Sequence, residues 1–171
     1  QILSTLGSAL LHVNTFKRGV GFAMQRDWER VREQLDILPP EEKLVPRARA
    51  DAGILRACYA AYQGDAARFT AELDRALEGL LDQGVLGVIK HLPGHGRAAA
   101  DSHLELPVVT TDAETLHTRD FEAFKGIEGA LMAMTAHVVY AAIDSEHTAT
   151  QSRDVIDGVI RGEIGFDGLL M

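Results

Sequence analysis

The sequence predicts an α/β fold in which successive βα units surround a parallel sheet, and three observations carry that prediction. Apolar runs beginning near Val85, Ala130 and Gly165 show no polar alternation, as expected of strands covered on both faces. Helical periodicities lie between them, around residues 112–124 and from Ser152 onward. Polar residues gather directly after the runs, where parallel α/β folds place their ligand crevices.

Taken in order, Ser8–Val13 reads as a short buried strand closed by Gly19 and Gly21. Trp28, Val31, Leu35 and Leu38 recur at helical spacing, so Gln25–Leu38 is expected to be an amphipathic helix anchored in the core by Trp28. Pro39-Pro40 stops it, because a proline disfavours the helical region in the residue before it. The charged stretch Glu41–Arg49, with Pro46 inside, reads as a surface loop.

Residues 51–82 form a predicted helix pair. Ile54, Leu55, Cys58, Tyr59 and Tyr62 make the apolar stripe of the first helix, which ends at Gly64. Asp65 caps the second, whose stripe is Phe69, Leu73, Ala76, Leu77 and Leu80. The spacing resembles a single tetratricopeptide repeat and is equally that of an ordinary helix hairpin.

Beyond Gly84, Val85–Ile89 is the first predicted strand, followed by a glycine-rich polar stretch from Pro93 to Asp101. In the next helix Leu116 and Phe124 point inward, while Asp112, Glu114, Asp120 and Glu122 read as a solvated face. Ala130–Val138 is the second strand. Ser152 caps a helix bearing Val155, Ile156, Val159 and Ile160, and Gly165–Met171 opens a third strand. Gln1 is not an initiator Met and Met171 falls inside a strand, so the chain is expected to be truncated.

Composition narrows the function. Lys and Arg number 17 against 25 Asp and Glu, a net charge of −8, which argues against non-specific nucleic-acid binding. Cys58, the single cysteine, cannot form an internal disulfide. No apolar run approaches the roughly 20 residues that span a bilayer. Gln1–Thr5 lacks the basic start of a signal peptide, so no membrane partner and a cytoplasmic location are expected.

The chemistry concentrates in Lys90-His91-Leu92-Pro93-Gly94-His95-Gly96-Arg97-Ala98-Ala99-Ala100-Asp101-Ser102-His103. Gly94 and Gly96 permit unusual backbone angles, and the small residues at 98–100 give the loop little to pack with. Asp101 and His103 fall on one side of an extended segment. A carboxylate beside an imidazole fixes its tautomer and raises its basicity, which suits acid/base work near neutral pH. His91, His95, Asp101 and His103 are also metal-ligand types, and a metallohydrolase using His91, His95 and His103 stands as one alternative. His137, at the end of the second strand, is either a pocket residue or a core histidine. His12, His117 and His147 have no partners in sequence and read as surface residues.

KHLPGHGRAAADSH closely resembles the signature of bacterial β-N-acetylhexosaminidases of glycoside hydrolase family three. Met134–Tyr140 and Gly165–Met171 resemble the next two strand segments of those enzymes, so the resemblance covers about residues 66–171. It implies a (β/α)8 TIM barrel, incomplete in this chain, that releases terminal β-linked N-acetylglucosamine in peptidoglycan recycling, with retention and without metal or organic cofactor. The implied substrates are muropeptides or chitooligosaccharides. By motif position Lys90 and His91 match the pair that holds sugar hydroxyls. His103 matches the general acid/base, and Asp101 its orienting partner.

The family's nucleophilic aspartate follows the third strand segment, beyond Met171, so the chain as given is expected to carry only the acid/base half of the site. Residues 1–65, expected to be mostly helical, show neither the acidic glycine-rich segment nor the substrate-gripping arginine of the family. A further alternative is therefore a helical-hairpin interaction module at 25–82 joined to an inactive hydrolase remnant.

Overall fold

The computed structural model describes residues 25–98 and 105–171, and it divides into two compact units. One contains the helices preceding Gly87 together with Ile127–Gly129; the other contains Gly87–Gly126 and Ala130–Met171. The strand expected at Ser8–Val13 lies outside the described residues, as does His12.

In the helical unit, α1 (Trp28–Asp36) starts where the Asp27 carboxylate accepts the backbone N–H of Arg30 at 3.3 Å, satisfying one of the orphan donors of the first turn. Val31 is its buried residue, and the Trp28 ring stacks on Tyr62 with centroids 4.7 Å apart. The next helix, α2 (Pro46–Gln63), begins earlier than expected. Pro46 occupies its first turn, where a missing N–H costs nothing and the fixed φ is already helical. The latter part of the predicted surface loop is therefore helix. Gly64, left-handed at φ 74°, ends α2. Asp65 then caps α3 (Ala66–Leu81), accepting from the Arg68 N–H at 3.0 Å.

The helix pair is as predicted, but α2 buries a different face. Ile54, Cys58 and Tyr62 are exposed, whereas Ala50, Ala52, Gly53, Leu55, Ala57 and Ala60 are buried. The reason is close approach. A Cβ on Gly53 would lie 2.8 Å from the Glu72 carbonyl oxygen, and one on Gly79 would lie 2.9 Å from the Ala50 nitrogen. Small side chains let the two backbones come together, and the large apolar residues are left outside that seam.

The described residues of the second unit form five short strands: β1 (Val88–Leu92), β2 (Val108–Val109), β3 (Met132–Thr135), β4 (Val139–Tyr140) and β5 (Leu169–Leu170). They form a sheet of order β1-β3-β5 and a separate β2-β4 pair, and every pairing is parallel. The parallel α/β expectation is met. The first strand, however, starts at Val88 rather than Val85, because its pairing begins at Val88 opposite Met132. Val85 and Leu86 are exposed, and only Ile89 and Leu92 of β1 are buried, so this strand is not covered on both faces. Lys90 and His91, expected after the strand, lie within it. The register shifts between Lys90, opposite Met134, and Leu92, opposite Thr135, leaving His91 as an extra residue.

Helical segments connect the strands. The short α4 (Ala113–Thr115) is capped by Asp112, which accepts from the Thr115 N–H at 2.8 Å, and continues as a wide π-helical turn over Leu116–Asp120. The predicted Ser152 cap is present, with Oγ accepting the Val155 N–H at 3.3 Å ahead of the π-helical α5 (Asp154–Glu163). Leu116, Phe121, Val155, Val159 and Ile160 fill the interior of this unit. Phe124, expected inward, is half-buried, and the fully buried ring is that of Phe121.

Candidate active site

The carboxyl ends of β1 and β3 run side by side, joined by the Ala136 N–H donating to the Leu92 carbonyl at 2.6 Å. This is the end of a parallel sheet at which barrels and open α/β folds carry their chemistry. Lys90 is exposed, and His91 is half-buried with its ring centroid 5.3 Å from that of His95. His137 is exposed just past β3, between the fully buried Ala136 and Val138. It is thus an exposed residue, not a core histidine. Asp101 and His103 lie outside the described residues.

The stretch leading toward Asp101 is held at several points. The peptide bonds Lys90–His91 and Leu92–Pro93 are cis, and Pro93 is fully buried. The Tyr140 hydroxyl donates to the Gly94 carbonyl. Arg97 Nε donates to both carboxylate oxygens of Asp120, at 2.9 and 2.8 Å. Phe121 meets the Tyr140 ring edge-on at 5.8 Å. Burial, and then the neighbouring Asp120 charge, push the Tyr140 phenol above its ordinary range, so this hydroxyl stays a donor. An open cleft of about 330 Å³ lies here, lined by Gly94–Arg97 and by Arg119, Asp120, Ala123 and Phe124.

Two expectations are corrected by these contacts. Asp120 is not part of a solvated face; its side chain is 16% exposed and ion-paired to Arg97. His117 is not a partnerless surface residue. Its Nδ1 meets the Glu163 carboxylate, which also receives Lys125 Nζ at 3.1 Å. Burial pushes the Glu163 carboxyl up, but the hydrogen bonds from Lys125 and His117 outweigh it and hold the group low. Lys125 is raised by its hydrogen bonds to Glu122 and Glu163. His147 is exposed as expected, yet it sits 3.1 Å from Asp144. Asp144 is held at about 2 by its Ser152 hydrogen bond and by the backbone N–H groups of Glu146 and His147.

Sequence reasoning missed Arg97–Asp120 and Tyr140–Gly94, whose partners are 23 and 46 residues apart. The only advance signal was an arginine in a glycine-rich loop, which otherwise has little to pack with. Among the described residues no group of three or more His, Cys, Asp or Glu side chains is arranged to hold a metal ion. No helix among them is long and apolar enough to cross a membrane.

Comparison with known proteins gives consistent matches. Residues 50–171 match the family model described as the glycosyl hydrolase family 3 N terminal domain. A beta-hexosaminidase of Alkalilimnicola ehrlichii is 45% identical over 92 residues, covering 53% of this chain and 26% of that protein. A glycoside hydrolase family 3 beta-N-acetylglucosaminidase from Paenibacillus superposes with a TM-score of 0.58 at 28% identity, over 77% of this chain and 30% of that one. Zinc-bound CbsA from Thermotoga neapolitana superposes equally well, at 0.58 and 29% identity, over 78% and 33%. The chain thus spans about a quarter to a third of the length of the curated relatives it matches.

Proposed function

Because the chain belongs to the glycosyl hydrolase family 3 N-terminal domain family and shares its (β/α)8 barrel type of fold, we propose that it carries the acid/base side of a β-N-acetylhexosaminidase site. The observation that supports this most is the carboxyl end of the sheet, where Lys90 and His91 lie in β1 and His137 follows its parallel neighbour β3.

In this reading Lys90 and His91 hydrogen-bond the hydroxyls of a terminal N-acetylglucosamine, and His137 borders the same pocket. His103 gives its proton to the glycosidic oxygen as the bond to the anomeric carbon breaks, and the aglycone leaves as a neutral alcohol. Asp101 keeps the imidazole in the tautomer that allows this. Retention requires a carboxylate on the opposite face of the sugar, which forms a covalent glycosyl-enzyme. Water then attacks the anomeric carbon while His103 takes its proton, which restores both groups. Substrates are muropeptides or chitooligosaccharides, as in peptidoglycan recycling.

The test is hydrolysis of an aryl N-acetyl-β-glucosaminide by the protein expressed from its complete reading frame. His103→Ala should lower turnover by about 100- to 10,000-fold, the usual worth of a general acid/base. An intact protein without activity would overturn the reading and turn attention to a helical-hairpin interaction module at residues 25–82.

A further inference from the structure

We infer that the cleft between residues 94–97 and 119–124 takes a carboxylate carried by the leaving group of the substrate, with Arg119 as the residue that selects for it. The inference rests on the glycosidase reading above and deepens it: of the two substrate classes, it picks the acidic one. The cleft has a volume of about 330 Å³, and His95, Arg97, Arg119, Asp120 and Phe124 are among its lining residues. Its place beside the candidate site follows from β1. The His95 ring lies 5.3 Å from that of His91, so the cleft adjoins a residue assigned to the sugar hydroxyls. A terminal N-acetylglucosamine carries no charge. Any anion that such a substrate brings to this cleft therefore belongs to its leaving group.

The charge of the lining suits an anion. Arg97 Nε donates to both oxygens of Asp120, at 2.9 and 2.8 Å, so the one carboxylate in the lining is already matched by a guanidinium. Arg119 adds a second guanidinium. It is exposed, and among the described residues it pairs with no carboxylate. The cleft thus keeps an excess of positive charge on a chain whose net charge is −8. Its planar fork of N–H donors matches the two oxygens of a carboxylate. The shape fits as well. Gly94 has φ 150°, and a Cβ there would lie 3.7 Å from Asp120 Cβ and 4.0 Å from Phe124 Cε2, so glycine leaves that space open. Phe124 offers an apolar wall to a short carbon arm bearing the acid. Muropeptides carry such a group as a lactyl ether on the leaving sugar or as carboxylates of the attached peptide. Chitooligosaccharides carry neither.

The experiment is kcat/KM with the complete protein for acids and their neutral esters. One pair is N-acetylglucosaminyl-N-acetylmuramic acid and its methyl ester, which keeps the bulk and removes the charge. The other is a muropeptide, whose lactyl carboxyl is amidated, and its peptide methyl ester. Diacetylchitobiose reports the glycosidase reading by itself. Wild type should favour the acid over the ester by about 5- to 20-fold in at least one pair, between the worth of an exposed ion pair and that of a charge-assisted hydrogen bond. The pair that shows the preference identifies which carboxylate is held. Raising the salt to about 0.5 M should remove most of the preference. Arg119→Gln should bring the acid-to-ester ratio within about twofold of one, Arg119→Glu should invert it, and Arg119→Lys should restore part of it.

Ratios at or below one in both pairs, or a preference that Arg119→Glu leaves unchanged, would overturn the inference while leaving the glycosidase reading intact. So would a loss in the Arg119 variants that falls equally on acid and ester, since that is the mark of a structural role. If wild type hydrolyses neither diacetylchitobiose nor any member of the two pairs, the reading itself fails.

Discussion

Substituting Gly53 by Ala should destabilise the helical unit, although alanine is the better helix former. In an exposed helix interior the change would gain about 0.8–1.0 kcal/mol. Here the added Cβ would lie 2.8 Å from the Glu72 carbonyl oxygen, 3.0 Å from Ala76 Cβ and 3.1 Å from the Ala76 nitrogen. Two of those three atoms belong to the α3 backbone, so no rotamer change relieves the contact and the helices must move apart. Overpacking of this kind costs about 1–3 kcal/mol, and backbone neighbours place it in the upper part of that range. The net expectation is a loss of about 1–2 kcal/mol once the propensity gain is subtracted. Gly79→Ala meets the Ala50 nitrogen at 2.9 Å and the Pro46 carbonyl at 3.0 Å across the same seam, so it should behave alike. The two losses together should fall short of their sum, because the first substitution opens the gap that the second needs. The single tryptophan, Trp28, stacks on Tyr62 of α2 and makes the measurement direct, as urea unfolding followed by its fluorescence. A helix glycine with open space around it, Gly158, provides the opposite sign, since Gly158→Ala should be neutral or stabilising. An unfolding midpoint for Gly53→Ala at or above wild type would refute the close-packed seam.

Three other outcomes can be checked. Asp144 has a folded-state pKa of about 2 against an ordinary 3.8, so its contribution to stability is complete above pH 4 and is lost as pH falls toward 2. Urea titrations should therefore find Asp144→Asn less stable than wild type at pH 7, with the difference vanishing near pH 2. Tyr140→Phe removes the hydroxyl donated to the Gly94 carbonyl from a ring only 2% exposed, and should cost about 1–3 kcal/mol by leaving that acceptor unpaired, read by calorimetry. On the proposed mechanism, in which His103 rather than a metal-bound water would supply the proton, treatment with a chelator should leave hydrolysis by the complete protein unchanged within about twofold. A large, zinc-reversible loss would favour a metallohydrolase on His91, His95 and His103.

How much of this was legible beforehand depended on how local the determining forces are. Helix starts were readable because Asp65 and Ser152 act on N–H groups three residues away. The parallel arrangement was readable from apolar runs separated by helical spacings. The buried face of α2 was not, because the stripe Ile54, Leu55, Cys58, Tyr59 and Tyr62 ranks residues by size, and of these only Leu55 is buried. The helices instead approach through Gly53 and Gly79, where smallness is the attraction. The onset of β1 was equally hidden, since the partner strand begins its pairing at Met132 and leaves Val85 and Leu86 unpaired. Within the candidate site, Lys90 and His91 stood out by motif. Asp120 passed for solvent-facing charge because the arginine that claims it is 23 residues away.

The extra residue at His91 has a consequence for how this region can change over time. Along a regular strand, side chains two apart share a side, so Ile89 and His91 would be paired in fate, as would Lys90 and Leu92. The register shift breaks that pairing: Ile89 and Leu92 are both buried, and the two polar residues between them are both spared burial. One inserted residue thus lets a short strand display two neighbouring polar groups without giving up either of its inward anchors. Point substitutions at 90 or 91 leave this frame standing, so the chemistry there can drift while the strand endures. Loss of either codon would restore strict alternation, with Ile89 and Leu92 both still inward and one polar residue left between them instead of two. In this strand, the number of residues matters more to the frame than which polar side chains stand at 90 and 91.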